Sequence, residues 1–250
     1  MFVVQIDFSH PEGKLDVDLI STLLATWSKS GQLIAYPQAL AWVDSGIRVT
    51  GIAPERESLS NEHANKYARD HVAALRGAGV TIRTIVVGTH ADGVATCECK
   101  AATDYVLFTS FLEDASPLRC GTCFGQVPLY RVPPPAGDEY LDLLGWQGDY
   151  QACDTLQMQC TVGERFGERQ LGDVASPLSR CGRSLCAELE TRTGARVFYY
   201  LLRMSSRPAD AERRCPDCGD DWALDEKLHG RFDFRCEHCR LLGNVGGFGG

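Results

Sequence analysis

The sequence has no apolar run long enough to cross a bilayer. Apolar-rich stretches such as residues 2–6 and 85–87 fall far short of the roughly 20 residues that a membrane-spanning helix needs. The N-terminus also lacks a basic segment followed by an apolar one, which is the pattern of a secretion signal. We therefore expect a cytoplasmic protein with no membrane contact.

The short motifs of common enzyme classes are also missing. The sequence contains no nucleophile elbow, no phosphate-binding loop and no dinucleotide fingerprint. We therefore predict no catalytic residues. One alternative stays open, a thiol-redox enzyme that uses Cys120 and Cys123 as a C-x-x-C pair.

Positive charge is in deficit. The 250 residues carry 25 basic and 33 acidic side chains, which gives a net charge of −8. A negative surface repels phosphate backbones and so argues against indiscriminate nucleic-acid binding. The balance is reversed in residues 161–210, which hold eight arginines against six acidic residues. Any contact with nucleic acid is therefore expected to be local.

Cysteine, by contrast, is abundant, with 12 residues in the chain. Because nothing indicates export, clustered cysteines favour metal binding or redox chemistry over disulfides. Eight of the 12 form four close pairs. These pairs are Cys97 with Cys99, Cys120 with Cys123, Cys215 with Cys218, and Cys236 with Cys239. Metal binding is the interpretation that we favour.

The two C-terminal pairs predict one zinc site. Cys215 and Cys218 form one C-x-x-C turn, Cys236 and Cys239 form a second, and 17 residues separate the two turns. This spacing is typical of a zinc ribbon, in which two turns hold one tetrahedral Zn²⁺. Four thiolates leave no open position on the ion, so a structural zinc is expected and hydrolysis is not.

A second zinc site is a separate hypothesis. Cys97 and Cys99 precede Cys120 and Cys123, with 20 residues between the two pairs. These four thiols could hold a second Zn²⁺, and His90 could replace one of them. The alternative is that Cys97 and Cys99 are free thiols.

The remaining cysteines do not have the spacing of metal ligands. On helices, Cys153 would lie about 10 Å from Cys160 along the axis, and Cys181 and Cys186 would point in different directions. We expect all four to pack in the core. His229 and His238 lie near the C-terminal cysteines, are not needed as ligands, and are expected at the surface.

Periodicity predicts an α+β fold. Residues 1–90 read as strand, helix, strand, strand, helix, strand, which is the order of a ferredoxin-like domain. Residues 91–205 read as a cysteine-containing α+β region with helical pieces at 141–144, 153–160 and 177–191. Residues 206–250 contain the zinc ribbon.

Four segments together resemble a known family. They are the sequences CGTCFGQVPLYR at 120–131, GDYQACD at 148–154, GERFGERQ at 163–170, and the terminal cysteine pairs. The chain resembles a bacterial family of uncharacterised proteins described as zinc-ribbon-containing and as candidates for nucleic-acid binding. The resemblance spans roughly residues 95–245. It implies zinc at the four C-terminal cysteines and no established activity.

The arginine-rich region suggests a binding role. Arginine forks suit phosphates, so nucleic acid or a ribonucleoprotein is the predicted partner. The candidate contacts are Arg165, Arg169, Arg180 and Arg183. An alternative is that these arginines pair with Glu164, Glu168, Glu188 and Glu190 on solvated helix faces. A second hypothesis is a protein-interaction or regulatory role without nucleic-acid binding, because the acidity of the chain favours a protein partner.

Overall fold

The computed structural model describes residues 1–34, 39–100, 102–137, 139–204 and 213–246. The chain divides into two compact units. Unit 1 comprises residues 1–96, 114–116 and 125–141, and unit 2 comprises residues 97–113, 117–124 and 142–250. Each unit contains a β-sheet, and helices lie between the strands in sequence. The predicted α+β class is confirmed. The boundary predicted at 205/206 lies outside the described residues.

The described residues of unit 1 form four strands, two α-helices and a short 3-10 helix at Leu129–Arg131. The strands and α-helices are β1 (Phe2–Ser9), α1 (Val17–Lys29), β2 (Leu40–Val43), β3 (Gly46–Ala53), α2 (Lys66–Gly77) and β4 (Thr81–Thr89). Each α-helix begins directly after a residue whose side chain caps the first turn. Asp16 accepts a hydrogen bond from the backbone N–H of Leu19, and Asn65 accepts one from Ala68.

The sheet of unit 1 has the strand order β2-β3-β1-β4, and every neighbouring pair is antiparallel. Alternate residues of β1 are buried, namely Val4, Ile6 and Phe8, because successive side chains of a strand point to opposite faces. These residues form one core with the apolar side chains of α1 and α2.

The part of unit 2 that the structure describes forms six strands and three α-helices. Its elements are β5 (Asp104–Leu107), β6 (Leu118–Cys120), α3 (Leu141–Gln159), α4 (Glu164–Gly172), α5 (Pro177–Thr193), β7 (Arg196–Met204), β8 (Ala223–Leu228), β9 (Phe232–Cys236) and β10 (Leu241–Gly246). The two helical pieces predicted at 141–144 and 153–160 are parts of one helix. Gly145 and Gly148 lie inside that helix. Because glycine has a low helix propensity, the sequence predicts two short helices where the structure has one long helix.

The sheet of unit 2 has the order β6-β5-β7-β10-β9-β8. Strands β5, β7 and β10 are parallel to one another, whereas β6 and β9 run antiparallel to their neighbours. The C-terminal strands therefore extend the sheet that begins with β5 and β6. One sheet therefore contains strands from both cysteine-rich segments.

Helix α5 packs closely on β7. A Cβ atom at Gly182 would lie 2.3 Å from the ring of Tyr199 and 2.6 Å from the indole nitrogen of Trp146, so only glycine fits there. Ser176 caps the start of α5, and Gly194 ends it with a φ of +71°. Among the described residues, no helix combines the length and the hydrophobicity needed to cross a bilayer.

Candidate metal centres

The structure brings the four C-terminal cysteines together. The Sγ atoms of Cys215, Cys218, Cys236 and Cys239 all lie within 4.8 Å of one another. The Sγ atoms of Cys218 and Cys236 are 3.7 Å apart. A tetrahedral ion with metal–sulfur distances of about 2.3 Å requires sulfur–sulfur distances of about 3.8 Å. This group could therefore hold one metal ion.

The second group forms from Cys97, Cys99, Cys120 and Cys123, whose Sγ atoms also lie within 4.8 Å of one another. The structure thus brings together the four thiols of the hypothetical second site, including Cys97 and Cys99, for which the alternative was free thiols. His90 is not a member of either metal-ligand group found among the described residues. Unit 2 therefore contains two four-cysteine groups, each of which could hold a metal ion.

Two of the cysteine turns share the same backbone geometry. The N–H of Gly219 donates to the carbonyl of Cys215 over 2.9 Å, and the N–H of Phe124 donates to the carbonyl of Cys120 over the same distance. Gly219 has a φ of +80° and Phe124 a φ of +58°. Both turns therefore close in the same way after their second cysteine. For phenylalanine this left-handed conformation is unusual, which indicates that the surrounding packing maintains it.

The thiols of each group differ in acidity. Burial opposes ionisation of Cys120, but the N–H groups of Cys123 and Thr122 outweigh it and lower the pKa of Cys120 to about 7. Burial raises the pKa of Cys97 to about 12 and that of Cys236 to about 11. Each group thus contains buried thiols that hold their protons at neutral pH, which a bound metal ion would have to displace.

Both groups lie at the same end of the sheet. Cys120 at the end of β6 pairs with Tyr105 near the start of β5, and Cys236 at the end of β9 pairs with Leu241 at the start of β10. Strand β7, which lies between β5 and β10, begins at Arg196. The two cysteine groups therefore flank the starts of three parallel strands.

Charged side chains lie between the two groups. Arg196 makes a bidentate pair with Asp104, with Nε–Oδ1 and Nη2–Oδ2 distances of 2.6 and 2.7 Å. Arg235 is 3.5 Å from the same carboxylate, and Glu237 pairs with both Arg196 and Arg235 at 3.0 and 2.6 Å. The network joins β5, β7 and β9 at the end of the sheet where the cysteines lie.

Comparison with known proteins places this chain in a family. A Haemophilus influenzae protein described as uncharacterized is 33% identical over 234 residues, which cover 91% of this chain and 90% of that protein. A second uncharacterized protein of Haemophilus influenzae is 36% identical over 162 residues, or 64% of this chain and 80% of its own length. The model of the domain of unknown function DUF2310 matches residues 99–202. The chain belongs to the DUF2310 family.

Two further domains of unknown function flank the DUF2310 region. DUF8589 matches residues 1–88, and DUF8594 matches residues 205–246. None of the three descriptions mentions zinc, a zinc ribbon or nucleic acid. No solved structure matches the chain significantly. The first cysteine group therefore lies at the start of the DUF2310 region and just before it, and the second lies within the DUF8594 match.

The candidate arginines of the DUF2310 region differ in their surroundings. Arg165 and Arg169 on α4 and Arg180 on α5 are exposed. In the part of the chain that the structure describes, no carboxylate forms an ion pair with these three side chains. Arg183 pairs instead with Asp217 in the C-terminal cysteine turn, over 2.6 Å. The alternative that these arginines pair with glutamates of α4 and α5 is thus not what the described residues show.

A groove lies between α5 and the last cysteine turn. It has a volume of about 450 Å³, and Arg183, Glu190, His238 and Arg240 contribute polar groups to its walls. Arg240 is 3.4 Å from the carboxylate of Glu190. The arginines on its walls are therefore held by carboxylates of the same unit.

The cysteines outside the two groups are not all buried. Cys153 and Cys186 are buried, as expected, but Cys160 and Cys181 are exposed. The prediction of core packing is wrong for these two residues. Cys160 follows the last residue of α3 with a φ of +51°, and Cys181 lies on the solvent face of α5.

One histidine that was expected at the surface has a structural contact. His238 is exposed, but His229 is half-buried and its Nε2 lies 2.9 Å from the carbonyl oxygen of Gly121. Its ring also stacks on Phe124, with centroids 5.2 Å apart. His229 belongs to the turn between β8 and β9, and Gly121 lies between Cys120 and Cys123. Sequence offers no signal for a contact between residues so far apart in the chain.

Proposed function

We propose that this protein holds two structural zinc ions, one in each four-cysteine group. The observation that carries the proposal is the approach of two sets of four Sγ atoms to within 4.8 Å at one end of a single sheet. A donor set of four thiolates favours Zn²⁺ among the metals common in proteins, and it leaves no coordination position for a substrate. The ions would fix the turns that begin and end the strands.

The finer fold assignments belong to the same proposal. The antiparallel order β2-β3-β1-β4, with helices after β1 and β3, supports a ferredoxin-like domain over residues 1–90. Two cysteine turns joined by the β8-β9 hairpin support a zinc ribbon within 206–250. Family matches at 1–88, 99–202 and 205–246 support three domains with the predicted bounds.

Elemental analysis of the purified chain tests the zinc proposal. We expect two zinc ions per chain, and one fewer in either Cys99→Ser or Cys239→Ser. The matched control is Cys160→Ser, which removes an exposed thiol outside both groups and should retain both ions. A wild-type value of one zinc would overturn the second site, and a value of zero would overturn both.

We further propose that the protein binds nucleic acid or a ribonucleoprotein through α4. Arg165 and Arg169 are one turn apart on this helix, and Phe166 beside them is 52% exposed. Unpaired guanidinium groups suit phosphates, and an exposed ring can stack on a base. Arg180 at the start of α5 adds a third unpaired arginine on an adjoining helix.

Binding of labelled single-stranded RNA and DNA tests this role. We expect affinity that falls with salt, and a loss of about tenfold in the double variant R165Q/R169Q. The control R69Q/R76Q removes the same charge from α2. Binding that resists salt, or equal losses in both variants, would contradict the role of α4.

A protein partner is the alternative that one observation favours. Val162, just before α4, is 69% exposed, and with Phe166 it places two large apolar side chains at the surface. Pull-down from lysate with and without nuclease distinguishes the two roles, since a protein partner survives nuclease treatment. The thiol-redox alternative lacks the helix N-terminus at which such pairs normally lie, because Cys120 ends a strand and no helix of the described residues begins at Cys123.

A further inference from the structure

A guanidinium group is buried in unit 2 with much of its hydrogen-bonding capacity unused. Arg119 of β6 is 1% exposed, and its Nη2 donates to the carboxylate of Glu113. Among the described residues, neither Nε nor Nη1 of Arg119 has a hydrogen-bond partner. Burying N–H groups of a charged side chain without acceptors is unfavourable, so a further acceptor is expected at this position.

A second guanidinium faces the same aromatic rings. The Cζ atom of Arg231, just before β9, lies 5.1 Å from the ring centre of Phe108 and 5.5 Å from that of Phe124. For Arg119 the corresponding distances are 5.9 and 6.0 Å. In the described part of the chain no carboxylate pairs with Arg231. Two positive charges therefore converge on two rings with Glu113 as their only ion-pair partner among the described residues.

The rings hold these guanidinium groups in place. Phe108 and Phe124 meet edge to face, with centroids 5.2 Å apart, and Phe232 packs against both. Phe124 is held on its other side by the stacked ring of His229. Two like charges would otherwise move apart, so this packing fixes an arrangement that is unfavourable by itself.

We propose that Arg119 and Arg231 form an oxyanion site that takes a phosphate group. The several oxygens of a phosphate can accept hydrogen bonds from two planar guanidinium groups at once, and its negative charge offsets the excess positive charge. The site deepens the proposed nucleic-acid role and rests on it for the source that we favour, a terminal or backbone phosphate of a nucleic acid. A free nucleotide carries the same group.

The two guanidinium groups differ in their access to solvent. Arg231 is exposed, and the side chain of Glu113 keeps 19% of its exposure. The Nη2 of Arg119 thus bonds to a carboxylate whose own side chain reaches the surface. A phosphate would enter beside Arg231, and because the unused N–H groups of Arg119 are themselves buried, the exposed side chain of Arg231 would move aside to admit it.

Titration of the zinc-loaded full-length chain with inorganic phosphate, by calorimetry at constant ionic strength, tests the site. We expect saturable binding of one phosphate, at least tenfold weaker in Arg231→Gln and in Arg119→Lys, which keeps the charge but loses the fork. Arg231 is exposed, so its variant should fold even if the Arg119 variant does not. The control is Arg76→Gln, an exposed arginine of α2. Absence of saturable binding, or equal weakening in the control, would overturn the proposal.

Oligonucleotides with and without a 5′-phosphate separate the sources. A preference for the phosphorylated strand that disappears in Arg231→Gln supports a terminal phosphate, whereas equal weakening of both strands supports a backbone phosphate. Oligonucleotide binding unaffected by Arg231→Gln, with no phosphate binding, overturns this site and leaves the nucleic-acid role intact. Phosphate binding without oligonucleotide binding supports the site and overturns that role.

Discussion

The Nε2 of His229 lies 2.9 Å from the carbonyl oxygen of Gly121, so the hairpin of one cysteine group contacts the turn of the other. Burial lowers the pKa of His229 below its usual 6.5. The ring is therefore neutral at pH 7, and its Nε2–H donates to the carbonyl. The hydrogen bond therefore joins the hairpin between the C-terminal cysteine turns to the turn that contains Cys120 and Cys123.

Replacing His229 with alanine should destabilise the protein. The variant loses the hydrogen bond to Gly121 and the stack on Phe124, which together contribute about 1–2 kcal/mol. Urea unfolding of the zinc-loaded chain measures this change. His238→Ala is the matched control, because that side chain is exposed, and its effect should stay within about 0.5 kcal/mol. Equal effects of the two substitutions would show that the contact contributes nothing.

Gly121→Ala should destabilise the same turn. A Cβ at this position would lie 2.6 Å from the Cβ of Asp104 and 2.9 Å from its carbonyl oxygen, so the backbone of β5 or the turn must move. We expect a loss of about 1–3 kcal/mol in the free energy of unfolding. Gly148→Ala in α3 has open space around it and should be neutral or stabilising by up to about 1 kcal/mol. A neutral Gly121 variant would contradict the close packing described here.

The parts of the fold that depend on neighbouring residues could be predicted from sequence. The order of strands and helices in the first 89 residues follows from alternation and helical spacing. The approach of the C-terminal cysteines follows from two C-x-x-C turns joined by a short hairpin. The parallel pairing of β5 with β7 could not be predicted, because it joins Asp104 to Arg196 across 92 residues.

The other contacts that could not be predicted from sequence also join residues that lie far apart in the chain. His229 contacts Gly121 over a separation of 108 residues, and Arg231 meets Phe108 and Phe124 only once the sheet has formed. Neither a histidine nor an arginine in a turn has a local sequence pattern that indicates a contact with a distant residue. The exposure of Cys160 was missed for a different reason, since a left-handed residue at a helix end is usually glycine or asparagine.

Removal of the proposed zinc should expose Trp222. This side chain is 1% exposed, stacks on Phe234 at 4.9 Å, and lies between the two C-terminal cysteine turns. Since the proposed ion would hold the two turns on either side of this residue, its loss should release the turns even though β10 stays paired with β7. We expect the tryptophan emission to shift to longer wavelength when a chelator is added. The shift should be much smaller in Trp222→Phe, and an equal shift in that variant would place the change elsewhere.

Asp154 should make stability depend on pH. Burial raises the pKa of Asp154 above its usual 3.8, although its carboxylate accepts a hydrogen bond from the N–H of Phe111. As pH rises, the unfolded chain loses this proton first, so the native state loses stability from about the unfolded pKa up to the folded one. An asparagine at position 154 keeps a side-chain oxygen that accepts the hydrogen bond from the N–H of Phe111, and it does not ionise. Asp154→Asn should therefore gain stability over the wild type, measured by urea unfolding, as pH rises above the unfolded pKa of Asp154. An advantage that does not grow with pH would contradict this.

The pair of Asp104 and Arg196 should stabilise the sheet between the two cysteine groups. The Asp104 side chain is only 12% exposed and accepts both arms of the Arg196 guanidinium, with Arg235 as a further neighbour. Asp104→Asn keeps the shape but leaves two positive charges near a neutral amide, so we expect a loss of about 1–3 kcal/mol. A double-mutant cycle with Arg196→Gln isolates the pair and should give a coupling energy of about 1 kcal/mol or more. Asp225→Asn on β8 is the exposed control. If the losses of the two single variants simply add in the double variant, the interaction between Asp104 and Arg196 does not stabilise the fold.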